Sequence, residues 1–324
     1  PGPGRQGIAF EDMVEVRTTS CPNCGAQVEI TGATHATECP FCATPVVLDT
    51  GSHRIIKPQA VLPFVLTESE ARKAMIAWMG SLWFAPGTLL EYARKGRAMT
   101  GIYTPFWTFD ADTASRYSGQ RGEYYYETRT VSVRVNGRTE QRQEQVRHTR
   151  WYPASGRVAR DFNDMLVMAS QSLPQRLGNE LTPWDLGKLV PYSPEYLAGF
   201  QAEGYTVPLA AGHAQARERM ADVIRSDVRR DIGGDEQRIT AIDTDWRDET
   251  FKHILLPVWM AAYKYNGKSY RFVVNGQTGE VQGERPWSVW KIAFAVLLVA
   301  ALVTGAVYLA DPQMVEESLP SWMD

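Results

Sequence analysis

Apolar and polar residues change period several times along the chain, and each change marks an element. Over 68–82 the apolar positions Met75, Trp78, Met79 and Leu82 recur at helical spacing, and over 214–230 so do Ala216, Met220, Val223, Ile224 and Val228. Arg and Asp fill the other face of the second stretch, and Gly233-Gly234 stops it. Elsewhere strands are predicted. Segments 124–126 and 130–135 run into Asn136-Gly137, a two-residue hairpin signal, and 138–152 reads as the return strand. Residues 153–156 predict a turn, 164–173 a helix, and short proline-punctuated helices follow through Gln201. Segments 263–265, 270–274 and 280–281, separated by Asn266-Gly267 and Asn275-Gly276, predict a three-strand antiparallel meander.

The last pattern has no alternation. From Ile292 to Leu309 there is neither a charge nor a proline. As a helix this stretch spans roughly 27 Å, close to the ~30 Å of a bilayer's hydrocarbon core. Trp287, Trp290 and Tyr308 stand at its ends, where aromatic rings favour the headgroup zone. The pattern predicts a single transmembrane helix over 287–311. Lys291 and Arg285 precede it, while Asp311, Glu316, Glu317 and Asp324 follow with no Lys or Arg. Basic residues stay on the cytoplasmic side, so the expectation is a single-pass protein of the bacterial inner (cytoplasmic) membrane. Its N-terminal domain is then cytoplasmic and an acidic tail, 312–324, extracytoplasmic.

A pattern recurs in the middle of the chain. Val61-Leu62-Pro63-Phe64-Val65-Leu66 precedes the first helix, and Tyr103-Thr104-Pro105-Phe106-Trp107 follows it. Tyr205-Thr206-Val207-Pro208-Leu209 precedes the second helix, and Leu255-Leu256-Pro257-Val258-Trp259 follows that one. This reads as a duplicated strand–helix–strand–strand unit, about 55–160 and 200–286. The fold class expected is α+β: a flexible N-terminal segment 1–17, a zinc ribbon over 18–50, and the duplicated domain with an antiparallel sheet over 51–286. The C-terminal transmembrane helix completes it. The chain begins Pro1-Gly2-Pro3-Gly4 without Met, as a fragment or processed form would.

The formal net charge of -3 is not the strongly basic balance of a nucleic-acid-binding domain. Arginine is abundant between Arg116 and Arg160, but it alternates with Glu and aromatics, as on a solvated sheet face. The four cysteines say more. They form Cys21-Pro22-Asn23-Cys24 and Cys39-Pro40-Phe41-Cys42, two tight turns that each bring a pair of thiolates onto one ion. Together Cys21, Cys24, Cys39 and Cys42 supply the tetrahedral sulfur set of Zn2+. Two short strands, 27–30 and 35–38, are expected around Thr31-Gly32-Ala33 between the knuckles, with Thr50-Gly51-Ser52 as a linker beyond. Disulfides and a redox Cys-x2-Cys are the rival readings; the reduced compartment implied by the anchor argues against the first, and a redox pair needs no spaced twin. Four thiolates leave no open coordination position, so the site is expected to be structural.

Catalytic constellations are weak. Gly267-Lys268-Ser269 lacks the glycine and the strand–loop–helix context of a phosphate loop. The pairs Asp110/Asp112 and Asp243/Asp245 read as strand-end residues, and Asp235-Glu236 as a turn cap. His35, His53, His148, His213 and His253 are scattered, without HExxH spacing. No catalytic residue and no organic cofactor is expected; the chain reads as a non-enzyme.

The knuckles, Tyr103-Thr104-Pro105-Phe106-Trp107-Thr108-Phe109-Asp110-Ala111, Asp231-Ile232-Gly233-Gly234-Asp235-Glu236-Gln237, and Leu255-Leu256-Pro257-Val258-Trp259 through Val274-Asn275-Gly276-Gln277-Thr278-Gly279-Glu280 carry a resemblance. Together they resemble a family of bacterial membrane-anchored TFIIB-type zinc-ribbon proteins. Its members are often labelled as similar to the primosomal helicase N-prime protein (replication factor Y). The resemblance implies zinc on Cys21, Cys24, Cys39 and Cys42. It also implies a tether for a flotillin-like scaffold in phage-shock-type, envelope-stress assemblies. The helicase label has no motor motifs behind it here. The functional expectation is thus a cytosol-facing adaptor with the lipid bilayer and a protein at the membrane face as partners. Nucleic-acid binding through the ribbon is the alternative, and self-association through Ala301-x3-Gly305 stays open.

Overall fold

The computed structural model describes residues 13–29, 36–39, 41, 44–47, 51–83, 99–135, 138–265, 268–284 and 288–310. The N-terminal part is built from two hairpins whose turns are the cysteine knuckles. Strand β1 (Met13–Ser20) pairs antiparallel with β2 (Gln27–Glu29) across the first knuckle. Strand β3 (Ala36–Glu38) pairs with β4 (Pro45–Val47) across the second. The two short strands expected between the knuckles are present as β2 and β3, each pairing across its own knuckle. Each Cys-x2-Cys turn already closes a hairpin and satisfies its own strand ends. Strand β5 (Gly51–Ile56) lies on the other edge of β1, so Gly51 and Ser52 sit in a strand and not in a linker. Residues 1–12, most of the segment read as flexible, lie outside the described residues.

Among the described residues the body is one eight-stranded sheet. After β6 (Ala60–Val61) and helix α1 (Glu68–Ser81) come two very long strands, β7 (Thr100–Val135) and β8 (Arg138–Met168). A short helix α2 (Gln175–Glu180), β9 (Val190–Pro191) and β10 (Gln201–Ala202) lead to α3 (Leu209–Ile232). Strand β11 (Glu236–Tyr265), β12 (Lys268–Asn275), β13 (Val281–Gly283) and α4 (Val289–Ala310) complete the order. Strands β8, β7, β11, β12 and β13 run antiparallel in sequence, whereas β10 joins β7 and β6 joins β11 in parallel. The sheet is thus mixed, which corrects the antiparallel expectation.

Local chemistry explains the helices. Thr67 caps α1: its hydroxyl accepts from Glu70 N, and Glu70 Oε2 accepts from Thr67 N at 2.8 Å. Helix α3 starts at Leu209, earlier than periodicity alone suggests, because Pro208 presets the entering backbone. Gly233 (φ 66°) and Gly234 (φ 74°) end it in the left-handed region. Ala216, Met220, Ile224, Val228 and Ile232 are buried against Trp107, Phe109 and Val167, and Arg160 grips Asp227 through two hydrogen bonds of 2.5 and 2.8 Å.

The two halves interlock. The β7–β11 register is symmetric about Thr104 opposite Leu256: Pro105 faces Leu255, and Pro257 faces Tyr103. β6 of the first half pairs with β11 of the second, and β10 of the second with β7 of the first. Trp107 Nε1 donates to Val207 O at 2.9 Å, just before the start of α3. Trp259 Nε1 donates to Leu66 O at 2.9 Å, just before α1. Each tryptophan therefore holds the helix start of the opposite half.

Two further expectations are corrected. Residues 153–156 do not turn, and 164–168 are strand. β8 runs through both, tolerating Pro153 because among the described residues it pairs only with β7, so its outer edge needs no proline N–H. The second correction concerns the C-terminal helix. Phe294, Val296, Leu297, Leu302 and Val303 are exposed along it. Among the described residues no helix is long and apolar enough to cross a membrane. The transmembrane anchor is corrected on that finding. The single-pass placement in the inner membrane and the bilayer as partner rested on it and fall with it. Trp287 and the acidic tail lie outside the described residues.

Candidate metal centre

The first knuckle is shaped by two backbone bonds: Cys21 N–H donates to Ala26 O and Gly25 N–H to Cys21 O, both at 2.9 Å. Gly25 takes φ 72°, a conformation that favours glycine. In the second, Cys39 N–H donates to Thr44 O at 2.8 Å. Cys21 and Cys39 are buried and Cys24 half-buried. Their sulfurs all lie within 4.8 Å of one another, and Cys24 Sγ is 3.6 Å from Cys39 Sγ. Tetrahedral Zn–S bonds of about 2.3 Å place sulfurs about 3.8 Å apart, whereas a disulfide needs about 2.05 Å. The three cysteines thus lie close together with the spacing to bind a metal ion. Cys42 and His35 lie outside the described residues.

This cluster is not a separate bead. Cys21, Ala26, Cys39 and Phe41 belong to one buried core with Leu62, Ile102, Phe106, Met168 and Leu173 of the body. The sulfur site is walled on one side by the sheet.

Beside it stands a residue that sequence reading missed. Glu203, directly after β10, is 2% exposed. Ser170 Oγ donates to Glu203 Oε1 at 2.5 Å and lies 2.6 Å from Ser172 Oγ. Glu203 Oε2 is buried without a hydrogen-bond partner. Burial pushes this carboxyl up to about 8 against the hydrogen bonds of Ser170 and Ser172, and negative charge at Cys24 adds to the rise. Nothing local in the sequence distinguishes it from a surface glutamate.

The carboxylate pairs weighed from sequence do other work. Asp110 Oδ1 accepts from Asp164 N and Oδ2 from Thr250 Oγ1, both at 2.8 Å, stitching the irregularities where β7, β8 and β11 shift register. Lys252 Nζ lies 3.5 Å from Asp110 and 3.2 Å from Asp164. Asp112 and Asp243 are exposed, and Asp245 faces Arg116 at 4.0 Å. Asp235 accepts from Tyr124 N at 2.7 Å. His148 lies 3.5 Å from Glu127, and His213 pairs with Glu249 at 2.7 Å alongside Arg217. His253 is buried between Trp107 and Tyr205. Among the described residues the structure does not bring these histidines together.

Fold and site define a protein built on one mixed, largely antiparallel sheet with a cysteine cluster set into its core. No family model matches the chain, and no solved structure matches it. It is similar to uncharacterized protein YdjG of Bacillus subtilis (strain 168), 28% identical over 241 residues. The match covers 71% of this chain and 64% of that protein, less than two thirds of its length.

Proposed function

We propose that the chain is a non-enzymatic adaptor, a zinc-held ribbon fixed on a sheet that offers the far end of its β7–β8 hairpin to a protein partner. The observation that carries this reading is the hairpin's reach. β11 stops pairing with β7 at Gly122, yet β7 and β8 stay paired to Val135 and Arg138. At about 3.3 Å per residue this arm extends roughly 40 Å beyond the sheet. A two-stranded ribbon bare on both faces is marginal in water and gains from a partner.

Near the base of the arm Arg147 lies 4.2 Å over Tyr124 and Arg150 4.9 Å over Tyr125. Beyond, Thr128, Thr130 and Ser132 face Gln145, Gln143 and Gln141 on one uncharged side. Such a face suits protein contacts better than a phosphate backbone, whose binding draws on counterion release by cations.

In this reading Cys42 joins Cys21, Cys24 and Cys39 around Zn2+, which supplies folding energy and no open position. Metal analysis of chain purified under reducing conditions is expected to give one zinc per chain; a metal-free chain would remove the zinc reading. For the partner, the arm is shortened by joining Tyr124 to Thr149 through Asn-Gly. The shortened chain is expected to keep its melting temperature and lose binding to a flotillin-like scaffold, the first candidate from the family resemblance. Undiminished scaffold binding would count against the arm. Salt-sensitive DNA retardation that vanishes with the arm would favour the nucleic-acid alternative.

A further inference from the structure

We propose that Glu203 is a positioning residue of the metal centre, a carboxyl group of the body that holds the Cys24 side of the ribbon in place. The interlocked halves supply the argument. β10 leads into Glu203, whose N–H donates to Tyr103 O at 3.0 Å; β6 leads into Leu62, whose N–H donates to Leu255 O at 2.9 Å. Tyr103 and Leu255 are themselves equivalent in the β7–β11 register, so Glu203 and Leu62 occupy matching positions.

Both are buried. One half fills the position with leucine, so packing alone does not ask for a carboxyl. A buried polar atom left unmet is destabilising, and Glu203 Oε2 is such an atom within the polypeptide. The neighbours differ between the halves. β6 is flanked by β9, whereas β10 packs on β2 of the ribbon, where Cys24 acts electrostatically on Glu203. Metal ligands are oriented by hydrogen bonds from groups around them, and this carboxyl is the buried polar group the body supplies there. Ser170 fixes Oε1, while Oε2 meets no partner in the polypeptide and reaches the sulfur cluster only through a water between them.

The inference rests on the metal reading, and the test separates the two. Zinc-loaded full chain is compared as wild type, Glu203→Leu and Glu203→Gln, following zinc release to a chromogenic chelator together with urea stability. Glu203→Leu is expected to resist urea at least as well as wild type, since Leu62 fits the twin position, yet to release zinc about tenfold faster. Glu203→Gln keeps a hydrogen-bonding head of the same shape and stays near the wild-type rate. Release from Glu203→Leu at the wild-type rate overturns the inference and leaves the metal reading standing. A wild-type chain without metal overturns both. Should Glu203→Leu fail to fold, Ser170→Ala loosens Oε1 instead: faster release supports the role, and an unchanged rate overturns it.

Discussion

One buried histidine, His253, should subtract stability from this fold as pH falls below 6.5, opposite in sign to the proton taken up by Glu203, which wild type and a His253 variant share. Its ring is buried, 4.9 Å from the Trp107 ring and 5.5 Å from Tyr205, with Nδ1 2.8 Å from Ile56 O. Nδ1–H donates to that carbonyl, and Nε2 is buried without a partner to receive a second proton. Burial therefore lowers the histidine from 6.5 to about 4, against the pull of the Ile56 and Lys57 backbone. A depressed histidine leaves stability intact above its unfolded value, and that stability is lost as pH falls toward the folded value. Each pH unit costs about 1.4 kcal/mol per proton, so about 2 kcal/mol disappears between pH 6.5 and 5 and about 3 kcal/mol by pH 4. Urea unfolding of wild type and His253→Asn at pH 7.0, 6.0 and 5.0 measures it. The asparagine amide can donate as Nδ1 does but does not titrate. Proton competition at the cysteine cluster affects both chains alike, so the difference between them isolates the ring. Wild type is expected to lose about 2 kcal/mol relative to His253→Asn between pH 7.0 and 5.0. Parallel pH profiles for the two chains would refute the reasoning.

Other outcomes follow from single contacts. Gly212→Ala, ordinarily worth about 1 kcal/mol of gain inside a helix, should instead destabilise α3, because the new Cβ would stand 2.6 Å from Trp107 Cδ1; a lower urea midpoint shows it and a higher one contradicts it. Trp107→Phe leaves the Val207 carbonyl buried and unpaired and should cost about 1–3 kcal/mol by equilibrium unfolding. Cys24→Ser should lower zinc content without changing α-helical circular dichroism, because α1 and α3 pack on the sheet and not on the knuckles.

What the sequence made legible was local. The apolar face of α3, the meander of β11, β12 and β13 with its turn after Asn275, and the cysteine spacing each need only a few neighbouring residues; Asn136-Gly137 and Asn266-Gly267 lie outside the described residues. Long strands were harder. Pro153 and Gly156 look like a turn, but Pro153 lies on an open sheet edge. Gly156 is small because a Cβ there would stand 2.6 Å from Tyr117 Oη. The strand end near Asp164, read as helix, depends on a bulge with φ 54° that Asp110 secures from 54 residues away. Apolarity in α4 was plain, but apolarity alone did not fix a span. Glu203 was invisible because its burial comes from β7 and the ribbon, both distant in sequence.

A cysteine cluster set into the core of the sheet, and not appended to it, has one direct test. Zinc-loaded and chelator-stripped chains are unfolded in urea under reducing conditions while tryptophan emission follows Trp107 and Trp259 in the body. Shared packing of Cys21 and Cys39 with Leu62 and Phe106 predicts that stripping the metal shifts the body's transition to lower urea. A body transition at the same midpoint with and without zinc would contradict it.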